Sequence, residues 1–308
     1  MRNILLASVA FFALTSAALA DSSDAYILQI GGDHKATQDQ AGTDNAVSAF
    51  QFGILNDAAQ TQKGDDNIGV SLQIGESNKV IQNQGNNQAK ANEGTAVAVQ
   101  VGKGNLADTT QLHEGHEVYS VQLGEYNSVY DNQWGGNDGL IATLQVGKNN
   151  ASAATQNSGN DHTALVVQVG EKNRSSSVQD GSNNLSKVLQ VGKGNMGAVE
   201  QGGRNNEATL VQFGEGNMAG EIGNASWKVK FPDSIGQKQA GQSNDALAIQ
   251  FGLENNVTQD QAGGFGKVTA FQLGEANGTT QIQKPGSSHD NALAVQVGAR
   301  NTSSQTQR

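Results

Sequence analysis

Thr95-Ala96-Val97-Ala98-Val99-Gln100-Val101-Gly102-Lys103-Gly104-Asn105-Leu106-Ala107-Asp108-Thr109-Thr110-Gln111 holds the pattern that decides the fold. Small and large residues alternate with period two from Ala96 to Val101, and Ala246 to Phe251 repeats the alternation. Such alternation marks a β-strand with two unlike faces. Gly102 permits a backbone reversal, and Asn105 is a residue type that bonds nearby backbone and tolerates unusual φ. Gln111 returns eleven residues after Gln100, so a second, similar half begins there.

The pattern recurs along the chain. Gln-x-Gly, with Ile, Val, Leu or Phe in the middle, occurs twelve times, at Gln29, Gln51, Gln73, Gln100, Gln122, Gln145, Gln168, Gln190, Gln212, Gln250, Gln272 and Gln296. The spacings are 22, 22, 27, 22, 23, 23, 22, 22, 38, 22 and 24. An Asn lies three residues after the Gly in eleven copies, as in Gly53 and Asn56, Gly75 and Asn78, Gly102 and Asn105, or Gly192 and Asn195; the first copy has His34. A second Gln lies eleven residues after the first in eleven copies, with Gly223 the exception. Each half suits one short strand and one turn. The expected fold is all-β, a β-solenoid of about twelve stacked strand-turn-strand coils with two parallel sheets. Stacking sets each residue about 4.8 Å from its counterpart one coil on. A Gln above a Gln at that spacing donates its amide to the next carbonyl and forms a ladder.

The irregular spacings place the insertions. Five extra residues lie between Gln84 and Gln100, at the return from a second half to the next first half. The long spacing after Gln212 differs. Gln239-Ala240-Gly241-Gln242-Ser243-Asn244 matches the opening of a second half such as Gln40-Ala41-Gly42-Thr43-Asp44-Asn45, so sixteen extra residues precede it. They are expected as a turn loop at about 223–238. Trp227, Lys228, Lys230 and Phe231 within it form a candidate contact loop for polysaccharide or a partner, since long loops often carry function.

Composition narrows the function classes. The 308 residues include 33 Gln and 31 Asn, with 39 Gly, 2 Pro and no Cys. Without Cys there is neither a disulfide scaffold nor a thiolate metal site. A net charge of −10 argues against nucleic acid, whose phosphates need clustered Lys and Arg. Residues 1–20 read as a secretory signal, with Arg2, an apolar stretch from Ile4 to Leu14 and Ala18-Leu19-Ala20 before the cut. The expected organisation is a signal at 1–20 and a solenoid at 21–308, without a membrane span in the mature part.

Which face points inward stays open on residues alone. The neighbours of each first Gln are apolar in all twelve copies, from Leu28 and Ile30 to Val295 and Val297, and strand alternation puts them opposite Gln. Burial energetics favours the apolar pairs inside, at roughly 1.5–3 kcal/mol for each fully buried aliphatic.

The repeat resembles the curlin repeat of curli, the bacterial extracellular amyloid fibre, whose pattern is Ser-x5-Gln-x-Gly-x-Gly-Asn-x-Ala-x3-Gln. Gln51, Gly53, Asn56, Ala58 and Gln62 fall on its positions, and Gln100, Gly102, Gly104, Asn105, Ala107 and Gln111 fit it more fully. The leading Ser is here mostly Asn, Gly or His, and the second Gly is often missing. The resemblance covers about residues 25–308. It implies a secreted subunit that polymerises into cross-β fibres, with Gln and Asn ladders turned inward and the apolar pairs left as a surface ridge. It also implies partners: further copies of the chain, a nucleator subunit and an outer-membrane export pore.

The expected function is therefore a self-assembling structural subunit of curli-like fibres, serving adhesion and biofilm matrix. The alternative is a monomeric secreted β-solenoid adhesin that binds polysaccharide or a surface. An enzyme is not expected, because the recurring residues are Gln, Asn, Gly and aliphatics rather than clustered acids or bases. No cofactor or metal is expected either: His113-Glu114-Gly115-His116 is a polar turn, short of the three or four converging ligands that zinc needs. Charges such as Asp65, Asp66, Glu125 and Glu215 are expected at turns, where they slow aggregation without interrupting a ladder.

Overall fold

A computed structural model describes residues 22–86, 89–219, 236–284 and 290–307. Its strands form two long parallel sheets. One has twelve strands, from Asp24–Gly32 through Thr95–Lys103 and Leu140–Lys148 to Asn291–Ala299. The other has thirteen, from Lys35–Ala41 through Ser128–Gln133 to Thr302–Gln307. The chain alternates between the sheets, so each coil adds one strand to each. We number the coils 1 to 12 by their first Gln. The molecule is a parallel β-solenoid of about twelve coils.

Register is held without slippage in the first sheet. Gln29 lies beside Gln51, Gln73 beside Gln100 and Gln272 beside Gln296, although the chain between successive partners varies in length. Even the 38-residue spacing brings Gln212 beside Gln250. The insertion after Gln212 does not leave from a turn. Its flanks Met218–Ala219 and Gln237–Gln242 both pair with Met196–Arg204, so they are two pieces of one interrupted strand. Gln237 and Lys238 thus belong to the sheet. Trp227, Lys228, Lys230 and Phe231, like the signal expected at 1–20, lie outside the described residues.

The turns explain the Gly and Asn spacing. Gly147 takes φ of 118°, and a Cβ there would overlap the carbonyl oxygen of Gly170 in the next coil. Two residues later the chain enters the left-handed region in every coil. Glycine fills that slot at Gly104, Gly194 and Gly216, but Leu55, Tyr126, Lys172 and Glu254 fill it elsewhere, at φ between 52° and 58°. The slot is the second Gly of the curlin pattern. Its loss in most coils leaves ordinary side chains in a conformation that costs roughly 1–2 kcal/mol.

The interior is thin and mixed. Ala49, Val188, Leu210 and Ala270 are buried beside fully buried Gln and Asn. The hydrogen bond from Ser120 to Asp131 identifies which positions meet across the coil, namely those two residues before each Gln. Their sizes compensate. Ala49 faces Gln60 and Ala248 faces Gln259, whereas Val188 faces Val199 and Thr143 faces Ala154. Where Gln stands on one sheet the other mostly presents Ala or Ser, and where Gln is absent two mid-sized residues such as Val188 and Val199 share the intersheet gap.

Two substitutions test the turn. Leu55→Gly should raise stability to urea by about 1 kcal/mol by relieving the left-handed strain. Gly147→Ala should lower it by about 3 kcal/mol or more, because strain and overlap add.

Candidate functional site: the buried amide ladders

The first Gln of each coil points inward. Gln51, Gln100, Gln145 and Gln250 are wholly buried, while their neighbours Phe52, Val99, Val146 and Phe251 line the outer face half-exposed. All twelve selected Gln form one unbroken column. Each Nε2 donates to the Oε1 one coil on, from Gln29 to Gln51 at 2.6 Å through Gln122 to Gln145 at 2.9 Å to Gln272 to Gln296 at 2.9 Å. The second N–H of most of these amides donates to backbone: Gln145 reaches the carbonyl of Ser128 and Gln296 that of Gly278. Buried amides are tolerated because their polar atoms are satisfied in this way.

The turn residues make a second column. Asn56, Asn78, Asn105 and Asn195 are buried. Asn105 Nδ2 donates to Asn78 Oδ1 at 2.9 Å and to the carbonyl of Gly124 at 2.9 Å, and the Asn105 backbone N–H donates to the same Asn78 oxygen at 3.1 Å. Asn195 repeats these bonds with Asn173 and Gly214. Gly53, Gly75, Gly102 and Gly192 supply the positive φ at which this turn begins. Each Asn thus fastens its turn to the coils on both sides.

Two further columns were not among the selected residues. The second Gln of each coil runs from Gln40 to Gln62 and on to Gln307, with Gln239 filling the place between Gln201 and Gln261. A third column occupies the position two residues earlier, at Gln38, Gln60 and Gln82, and again at Gln237, Gln259, Gln281 and Gln305. Between these segments stand Thr109, Asp131, Ala154, Ser177 and Val199, which hides its 22-residue period from a reading of the sequence.

The second turn carries an Asn column that changes character mid-chain. Gly94, His116, Gly139 and His162 replace Asn in four successive coils. His116 is buried, and its Nδ1 accepts the N–H of Gly139 at 3.1 Å. A side chain at Gly139 would meet the His116 ring and Gln156, so the imidazole occupies room that glycine leaves free. Burial, aided by nearby His113, lowers the His116 pKa to about 4. Asp131 is also buried, accepts from Ser120 at 3.0 Å and Thr143 at 3.4 Å, and is pushed up to about 7 by desolvation.

Paired charges close the strands of the first sheet. Glu76, Lys103, Glu125, Lys148, Glu171, Lys193 and Glu215 are the last residues of seven successive strands, alternating in sign. Lys103 meets Glu76 at 3.0 Å and Lys148 meets Glu125 at 2.9 Å. Exposed pairs of this kind add little stability individually. Asp65 sits in the opposite turn and accepts from the Thr43 backbone and hydroxyl. No group of three metal-ligating side chains occurs among the described residues.

Fold and site together define a class: a parallel β-solenoid with stacked, buried Asn and Gln ladders, consistent with curlin-like repeats. No protein-family model matches the chain, and no curated protein matches it.

Gln145→Leu should destabilise the chain by about 3 kcal/mol or more, since it strands the amide of Gln122 and the carbonyl of Gln168 in the interior. Val146→Thr, on the outer face, should change stability by less than about 1 kcal/mol. Urea unfolding of both variants checks the contrast.

The buried titratable pair adds a pH dependence. Folded Asp131 keeps a proton that the unfolded chain releases between pH 3.8 and about 7, so its stabilising effect is full at low pH and is lost as pH rises through about 7. Folded His116 stays neutral, so its effect is present above pH 6.5 and is lost as pH falls through about 4. The two slopes oppose each other. Asp131→Asn should therefore raise the melting temperature at pH 8.5 and leave it nearly unchanged at pH 4, while retaining the opposing His116 slope.

Proposed function

We propose that the chain is a secreted structural subunit that stacks head to tail into curli-like cross-β fibres, serving adhesion and matrix formation. The observation that carries this reading is the one-way run of the Gln ladders. Within each Gln ladder, the bond between side chains runs from Nε2 to the Oε1 of the following coil. Coil 1 therefore offers the carbonyls of Gln29, Gln38 and Gln40 along the axis, and coil 12 offers the amides of Gln296, Gln305 and Gln307. Among the described residues, strands Asp24–Gly32 and Asn291–Ala299 each pair on one side only. Coil 12 of one copy and coil 1 of the next are thus complementary in backbone and side chain alike. An unpaired parallel edge of this kind templates further pairing.

Secretion follows the signal-like reading of residues 1–20. Nucleator and export-pore partners follow the family resemblance alone, and Trp227, Lys228, Lys230 and Phe231 are proposed as contacts for polysaccharide or a partner. No catalytic chemistry enters this reading.

Purified protein should form fibres that diffract at about 4.8 Å along the axis and about 10 Å across it. A variant with Gln296→Leu, Gln305→Leu and Gln307→Leu should elongate at least about tenfold more slowly, the equivalent of roughly 1.4 kcal/mol at the junction. A protein that stays monomeric at high concentration, or elongates equally well with those three amides removed, would sink the proposal.

A further inference from the structure

The outer face of the first sheet is unlike the rest of the surface. Its three central columns, one residue before, one after and three before each first Gln, hold a single charge, Lys187. Leu123, Ile74 and Leu273 are each about two-fifths exposed there, at 38%, 41% and 44%. The outer face of the second sheet carries Asp39, Asn83, Asp108, Glu200 and Asp260 instead. With the strand-closing charge column, the apolar face spans about 53 Å by 20 Å, or roughly 1,000 Å². Two such faces in contact would bury about 2,000 Å², at the upper end of a standard specific interface.

We infer that this face docks against the same face of a second copy, about a two-fold axis parallel to the strands, so that coil n of one copy lies over coil 13 − n of the other. The charge column selects this arrangement. Its signs alternate from Glu76 to Lys103, Glu125, Lys148, Glu171, Lys193 and Glu215. Reversing the coil order sets Lys103 over Glu215, Glu125 over Lys193 and Lys148 over Glu171. The two remaining acids, Glu76 and Glu275, fall over Leu253 and Ile54. No like charges meet. A two-fold along the solenoid axis would instead bring Glu125 over Glu117 and Glu215 over Glu207. The contact stands apart from axial fibre growth, since it uses the sheet face and not the terminal coils.

The test is sedimentation of the full chain below the concentration at which fibres form. The native chain should dimerise. An acidic variant (Lys103→Glu, Lys148→Glu and Lys193→Glu) and a basic variant (Glu125→Lys, Glu171→Lys and Glu215→Lys) should each self-associate at least tenfold more weakly. Mixed in equal amounts, they should pair with each other. A monomeric native chain, or two variants that dimerise as the native chain does, would overturn the proposal. A nitroxide on Ala299→Cys provides a readout that leaves every charge in place. Label separations near 50 Å match the reversed coil order, and separations under about 25 Å would refute it. Neither refuting result bears on the fibre junction, which the terminal Gln variants test separately.

Discussion

A side-chain amide buried at every coil must find a donor and an acceptor one strand spacing above and below. That requirement fixes most of this structure. Gln145 is satisfied only while Gln122 and Gln168 stand directly over and under it, so the sheets must be parallel and in register. The Asn column imposes the same spacing on the turns, because Asn105 bonds Asn78 on one side and Gly124 on the other. Glycines such as Gly147 then become obligatory, since successive turns stack too closely to admit a side chain. The apolar residues are left to fill what space remains between the sheets.

Polar burial of this extent is unfavourable for an isolated amide. Within a column it becomes cooperative, because each group completes the bonding of its neighbours. Local packing can then vary while the ladder continues. The third Gln column stops at Thr109 and resumes at Gln237, and within that gap Thr143, Val166 and Val188 stand where Ala49, Ser71, Ala248 and Ala270 face Gln. His116 enters the Asn column where Gly139 gives it room.

The features legible in the sequence are those that repeat at every coil. The first Gln recurs twelve times, so the solenoid and its register follow from spacing alone. The face assignment does not. Transfer energetics would bury Phe52 and expose Gln51, and the opposite holds because the alternative partner of the amide is another amide rather than water. Features present in only part of the chain were invisible for a different reason. The third Gln column and the His and Gly alternation are broken periods, and Asp131 is one residue of its kind. The insertion before Gln237 was expected in a turn, because sequence spacing counts residues between ladders and cannot tell a turn from a gap in a strand. The left-handed slot of Leu55 and Tyr126 leaves no residue signature once its glycine is gone.

The alternating charges from Glu76 to Glu215 also bear on how such a chain can change length over generations. Every middle coil offers its neighbours the two long Gln columns and the first-turn Asn column, so deletion or duplication of one 22-residue unit there would leave those three ladders intact. It would nonetheless set Glu beside Glu or Lys beside Lys at the strand ends. Removal of two adjacent units restores the alternation, and the Gly94, His116, Gly139 and His162 series has the same two-coil period. In the middle of the solenoid, a change by two coils keeps both alternations and a change by one breaks both.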